Sequence, residues 1–244
     1  MDSLSICVLT YKRRDLLRDC LRSVVTQDLT DIDYELVVIN NGWEPLKLHD
    51  DEIFYPMTQL IDLEENLGNV GGQNACFKLC DSEWILFISD DVRLQEGCIK
   101  SLWEERFHGQ LMPIILNQDL TIQSYGGRLK WPGYGFNLME RAVTLDYIPS
   151  ICYLMPRQLW ENKGGFDEGF KGVYEDVDMG YRLCPDSLRC SLGARAIHLG
   201  NQTLGYINNE PFKRARVRFL CKHFTGIDQK VRRAARFLLD GIRG

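Results

Sequence analysis

The feature that most narrows the fold is an alternation of apolar runs with one-faced helical patterns, each run stopping at polar residues. Residues 4–9 and 35–39, rich in Val, Ile and Leu, read as buried strands. Between them, residues 14–26 place Leu17, Leu21, Val24 and Val25 on one helical stripe. Residues 11–14 make the connecting loop, and Asn40-Asn41-Gly42 punctuates the second strand. A helix over 71–80 and a strand over 84–88 follow, the latter stopping at Ser89-Asp90-Asp91. Strand–helix–strand order of this kind predicts an α/β fold with a mostly parallel central sheet flanked by helices. Ligands of such sheets bind beyond the carboxyl ends of the strands. Asn40 and the Ser89–Asp91 run both fall there.

The second half is less regular. Strands are expected over 111–116, 121–129, 147–155 and 190–199, and helices over 156–162, 175–183, 212–224 and 229–239. With no internal repeat or low-complexity linker, the simplest division is a domain over 1–210 and a basic helical C-terminal arm over 211–244. At 244 residues and 45% hydrophobic, the chain can build one full core. Met1-Asp2-Ser3 leads straight into a strand, and no apolar run approaches the roughly 18 residues that span a bilayer. Nine cysteines without a CxxC pair predict reduced thiols in a cytoplasmic protein rather than a zinc site. Residues 211–244 carry ten Lys/Arg against two Asp/Glu, leaving 19 against 32 for the rest. An acidic body with a basic arm points to an anionic contact surface.

Four clusters could carry chemistry. Asp90-Asp91 after an apolar strand is either a solvated turn or an oxygen site for Mn²⁺ or Mg²⁺. Glu175-Asp176-Val177-Asp178 opens a helix, where acids gain from the dipole, and one of them is placed to act as a general base. His198 ends an apolar segment, as a structural residue or a ligand. Residues 66–74 form a Gly-rich loop able to approach a phosphate, without the GxGxxG or P-loop pattern.

In order along the chain, residues 5–13, 35–42, 66–74, 85–92, 164–182 and 198–205 resemble the family 2 glycosyltransferases of the type-A fold. The matches include an NLG-x-x-GG-x-N segment, a DXD-type strand end and a GGFDE…EDVD…R segment. The resemblance implies an inverting transfer, by one in-line displacement, of a sugar from a nucleotide-diphosphate-sugar to an acceptor hydroxyl in cell-surface polysaccharide or glycan synthesis. It puts Thr10, Tyr11, Arg13 and Asn40 around the nucleotide, and Asn66, Gly71 and Gln73 near the ribose and diphosphate. It makes Asp91 the principal metal ligand, with Asp90 beside the donor sugar or ribose and His198 completing the metal shell or touching the diphosphate. Asp176 becomes the catalytic base, and Glu175 shapes the acceptor site. Three positions depart from the pattern: Leu9 replaces Pro, Asn40 replaces Asp, and Ser89 replaces the first acid of the metal motif.

The arginines of 212–223 and 230–243 interleave with apolar residues. Such an arm fits an anionic membrane surface presenting a lipid-linked glycan acceptor, with the enzyme cytoplasmic and membrane-peripheral. It equally fits packing on the acidic body or a homodimer contact. Nucleic acid is not expected, since the body is acidic and no recognition motif accompanies the arm. The competing reading is a non-catalytic nucleotide-sugar-binding subunit of a glycan assembly, with Ser89 as its sign. A sugar nucleotidyltransferase ranks last, for want of a Gly-rich loop after the first strand.

Overall fold

The computed structural model describes residues 2–42, 44–46, 58–200 and 210–224. β1 (Leu4–Thr10), α1 (Arg14–Val25), β2 (Tyr34–Asn40), β3 (Thr58–Asp62), α2 (Gly68–Leu79) and β4 (Trp84–Ser89) form the first half. β5 (Val92–Leu94), α3 (Cys98–Glu104), β6 (Gln110–Leu116), β7 (Ile122–Ser124), β8 (Gly127–Lys130) and β9 (Tyr134–Asn137) follow. β10 (Cys152–Pro156), α4 (Arg157–Asn162), α5 (Glu175–Leu183), β11 (Leu188–His198) and α6 (Glu210–His223) complete the described chain. The helix expected over 229–239 lies outside the described residues.

One sheet in the order β3-β2-β1-β4-β10-β6-β11-β5, with β7 on β6, runs through the molecule. β3, β2, β1 and β4 are mutually parallel, as the alternation predicts. β10 enters antiparallel between β4 and β6, and β5 lies antiparallel on β11, so the second half is mixed. Every residue of β1 is buried, which explains why these strands read as unbroken apolar runs. Register aligns Thr10 with Asn40, Asn40 with Asp62, and Leu9 with Ser89, gathering four strand ends along one edge.

A second, smaller core lies beside the main one. Tyr147, Phe170, Tyr174, Val177, Ala215, Phe219 and Leu220 pack together and fix α6 against α5. Charge follows the same contact: Arg218 and Lys222 each reach Asp167 at 2.9 Å, and Lys222 and His223 reach Asp178 at 2.8 and 2.7 Å. The described part of the basic arm is thus seated on acids of the body.

Candidate active site

The ends of β1 and β4 carry the first cluster. Asp90 is fully buried; Thr10 Oγ1 donates to its Oδ2 at 2.7 Å, and Arg13 pairs with its Oδ1. Arg13 Nη1 also donates to Asp91 Oδ2 at 2.8 Å. His198 presents Nε2 to the same oxygen at 3.5 Å, while its Nδ1 lies 3.1 Å from the Gln123 side-chain amide. Holding one ring nitrogen in this way orients the other. Burial pushes the Asp90 carboxyl up to about 6, against the pull of Thr10 and Arg13. Burial acts on Asp91 too, but His198, the Ser89 hydroxyl and Arg13 outweigh it and hold that carboxyl well below its ordinary range.

Asp91 Oδ1 is buried and without a hydrogen-bond partner among the described residues. A Cβ on Gly200 would stand 2.6 Å from Asp91 Oδ2 and 2.8 Å from His198 Nε2. The bare glycine therefore keeps a notch open between carboxylate and imidazole. A carboxylate, an imidazole and the nearby Ser89 hydroxyl suit Mn²⁺ or Mg²⁺, so these residues fit a divalent cation. Among the described residues no three His, Cys, Asp or Glu converge, so substrate oxygens and water would supply the other positions.

The second cluster sits at the end of β2. Asn40 is fully buried, and its Nδ2 donates to Asp62 Oδ1 at 2.6 Å and to the Glu44 carbonyl at 3.1 Å. Two acceptors fix the amide's orientation and leave Oδ1 buried without a partner among the described residues. Asn41 ties the Gly-rich loop to the sheet: its Oδ1 accepts from Leu67 N and its Nδ2 donates to the Gly68 carbonyl, both at 3.0 Å. Tyr11 lies beside Asn66 under the Lys12 ammonium, which lowers its phenol pKa, and Asn66 Oδ1 accepts from Gly68 N at 2.8 Å. Gly71 lies inside α2, where a Cβ would meet that of Leu67 at 2.7 Å. Gln73 is fully buried, accepting from the Tyr153 hydroxyl at 2.9 Å and reaching Glu175. Its Nε2 is buried without a hydrogen-bond partner among the described residues.

The acids open α5, whose preceding residue, Tyr174, takes the left-handed conformation at φ 72°. Asn69, in the first turn of α2, donates to Glu175 Oε1 at 3.2 Å, and Glu175 Oε2 is buried without a partner among the described residues. Burial raises the Glu175 carboxyl strongly, and the neighbouring Asp176 charge adds to it. Asp176 is half-buried; burial raises it as well, less far because the amides of Val177 and Ser150 stabilise its charged form. Burial thus pushes both acids towards their neutral forms, Glu175 further than Asp176.

The chain before β10 joins these acids to the metal-side cluster. Ser89 N donates to the Ile151 carbonyl at 2.9 Å, and the adjacent Ser150 amide faces Asp176. Thr10, Arg13, Asp90, Asp91 and His198 thus form one group, Tyr11 and Asn66 flank it, and Glu175, Asp176 and Gln73 stand across β10. Sequence reasoning missed Asn69, Asn41, Gln123 and Gly200. The first two lie inside quoted motifs and Gly200 follows His198, whereas nothing local marks Gln123.

Residues 5–119 match the sequence model of the family described as Glycosyl transferase family 2. The chain is 31% identical over 192 residues to the uncharacterized glycosyltransferase YwdF of Bacillus subtilis (strain 168), covering 75% of this chain and 68% of that one. It is 25% identical over 222 residues to the O-antigen biosynthesis protein RfbC of Myxococcus xanthus, covering 80% of this chain and 17% of that much longer protein. Its fold superposes on a crystal structure of GalNAc-T7 with UDP, GalNAc and Mn²⁺ at a TM-score of 0.70 and 11% identity, over 90% of this chain and 48% of that one. The sheet and its helices are therefore the type-A glycosyltransferase fold, and the chain belongs to glycosyltransferase family 2.

Proposed function

We propose that this chain is an inverting, metal-dependent glycosyltransferase that takes a sugar from a nucleotide-diphosphate-sugar and places it on a hydroxyl of a glycan or lipid-linked glycan. The observation that carries the reading is the Gly200 notch between Asp91 and His198, linked to Asp176 through the Ser89–Ile151 hydrogen bond and the adjoining Ser150 amide. The O-antigen and UDP–Mn²⁺ proteins it resembles support the same reading.

Asp91 and His198 would hold Mn²⁺ or Mg²⁺, which when bound neutralises charge gathering on the departing diphosphate. Thr10 and Arg13 fix Asp90 beside that site, and Asn41 holds the Gly-rich loop over the strand ends. Asp176 takes the proton of the acceptor hydroxyl as its oxygen bonds to the anomeric carbon and the bond to the diphosphate breaks. One base, with no second carboxylate placed as a nucleophile, corresponds to a single displacement and inversion. Burial and the Asp176 charge favour the neutral form of Glu175, which Asn69 holds beside the base. The enzyme would work at the cytoplasmic face of a membrane, held there by the basic residues of 230–243, which lie outside the described residues.

The test is a thermal-shift panel of UDP, GDP, dTDP and CDP sugars with and without Mn²⁺, paired with donor turnover by the wild type and Asp176→Asn. One nucleotide should stabilise both proteins alike, with turnover falling by about 10²–10⁴-fold in the variant. A wild type that binds donor but never transfers or hydrolyses it would make the chain a binding subunit instead.

A further inference from the structure

The basic side chains of α6 are not alike. Arg214 pairs with Glu210, Arg218 and Lys222 with Asp167, and His223 with Asp178. Arg216, only 6% exposed and more deeply placed than any of these, makes no ion pair or hydrogen bond with any described residue. Its guanidinium carbon lies over the Tyr134 ring, 3.9 Å from the centroid, and its Nε is buried without a partner among the described residues. Stacking satisfies the face of the group but not its N–H donors, of which Nε is buried. Withdrawing a guanidinium from water without a counter-anion is strongly unfavourable unless something else supplies the charge.

The surroundings place this cation beside the catalytic helix. Phe212 and Phe219, which bracket Arg216 on the same face of α6, both pack against Tyr174, with ring centroids 5.8 and 6.2 Å away. Tyr174 immediately precedes Glu175 and Asp176. Its hydroxyl donates to the Gly133 carbonyl at 2.9 Å, pinning the β8–β9 turn that carries Tyr134. Burial raises the Tyr174 phenol, with the Asp176 charge adding to the rise and the Arg216 charge opposing it, so both charges act on one side chain.

We propose that Arg216 is the receiving cation of a phosphate subsite, framed by Tyr134 and Tyr174 next to the start of α5. A planar guanidinium with its face stacked and its donors free is suited to two-point recognition of phosphate oxygens. The phosphate would belong either to the acceptor or to the donor's diphosphate. The assignment of a substrate phosphate rests on the transferase reading; the anion site itself does not.

The test is calorimetry of the full chain with inorganic phosphate and, separately, with UDP plus Mn²⁺, using the wild type and Arg216→Met. A tenfold or greater loss of phosphate affinity with UDP unchanged assigns the site to the acceptor; a tenfold loss for UDP assigns it to the donor. Unchanged binding of both probes, or no binding of either by the wild type, overturns the proposal. Should Arg216→Met fail to fold, a wild-type crystal soaked in phosphate decides. Phosphate oxygens at the terminal nitrogens of Arg216 support the site, and a soaked crystal with none there overturns it. Phosphate binding needs no turnover, so an intact phosphate site in a chain that never consumes donor would sink the transferase reading alone.

Discussion

At the scale of single residues, Gly200 makes the sharpest demand. Its Cβ would stand 2.6 Å from Asp91 Oδ2 and 2.8 Å from His198 Nε2, a separation real Cβ atoms do not adopt. Gly200→Ala should therefore raise the Mn²⁺ concentration for half-maximal turnover by roughly 10–100-fold, the range seen when groups supporting metal ligands are disturbed. An unchanged metal titration would remove the notch from the site. As the proposed base, Asp176 sets the pH dependence of the transfer. Its carboxyl is raised by burial, and the base works only when ionised. The acid limb of kcat/KM should thus lie well above the ordinary Asp value of about 3.9, and a pH–rate profile reads it directly. The same direction has a stability consequence at Glu175, whose folded-state pKa is raised above its unfolded value. The folded chain then holds the proton longer, so this group costs nothing below the unfolded pKa. The cost grows as pH rises from there towards the folded pKa. Glu175→Gln should consequently gain more in Tm over wild type at pH 8 than at pH 4; an equal gain would place Glu175 in a solvated setting.

At the scale of elements, α5 and α6 are held together by one acid. Asp178 is fully buried and receives Arg182 Nε at 2.8 Å along with Lys222 and His223 from α6. Arg182 in turn donates to the Lys163 and Gly165 carbonyls, so the ion pair also fixes the loop before α5. Asp178→Asn takes the buried carboxylate from Arg182, while Lys222 keeps Asp167, and should destabilise by about 3–5 kcal/mol. A Tm fall of roughly 6–20 °C would follow at about 2–4 °C per kcal/mol. Asp167→Asn, whose partners reach solvent, should cost about 1 kcal/mol or less. Comparable losses at the two sites would show that solvent screening does not separate them. The elements legible in the sequence were those that carry their own pattern: β1, β2 and β4 as apolar runs, α1 as a stripe, and α5 as an acid-started helix. β5 and β7 have three residues each and β9 four, too short for any period to show. β3 has only two apolar residues, Leu60 and Ile61, set side by side between polar ones, and its strand character comes from pairing with β2. The candidate site was readable where chemistry is clustered in sequence and unreadable where it is assembled across it. Asn69 meets Glu175 from 106 positions away, and Gln123 meets His198 from 75. α6 was read as a basic arm with several destinations, because only the folded body shows that Asp167 and Asp178 await its charges.

At the scale of the whole molecule, the two halves of the sheet contribute different parts of one site, and this has a measurable consequence. The parallel half ends in Thr10, Asn40 and the Asp90-Asp91 turn; the mixed half delivers His198 from β11 and, through the chain before β10, orients Asp176. The metal-side donors are few: Asp91 from one half, His198 from the other, and the Ser89 hydroxyl between them. A hard cation needs about six positions, so these residues alone should bind it weakly, and a diphosphate spanning the gap should complete its shell. Cation and nucleotide should then bind with positive coupling, each raising the other's affinity by the same factor. In thermal denaturation, Mn²⁺ alone should move Tm little and the nucleotide alone modestly. At saturation the two together should exceed the sum by the coupling free energy, about 1–3 kcal/mol. Asp91→Asn should abolish the excess while leaving the metal-free nucleotide shift largely in place, because the contacts of Asn40 to Asp62 and of Asn41 to the Gly-rich loop do not pass through it. Strictly additive shifts in the wild type would mean that the strand ends of the two halves do not share a ligand.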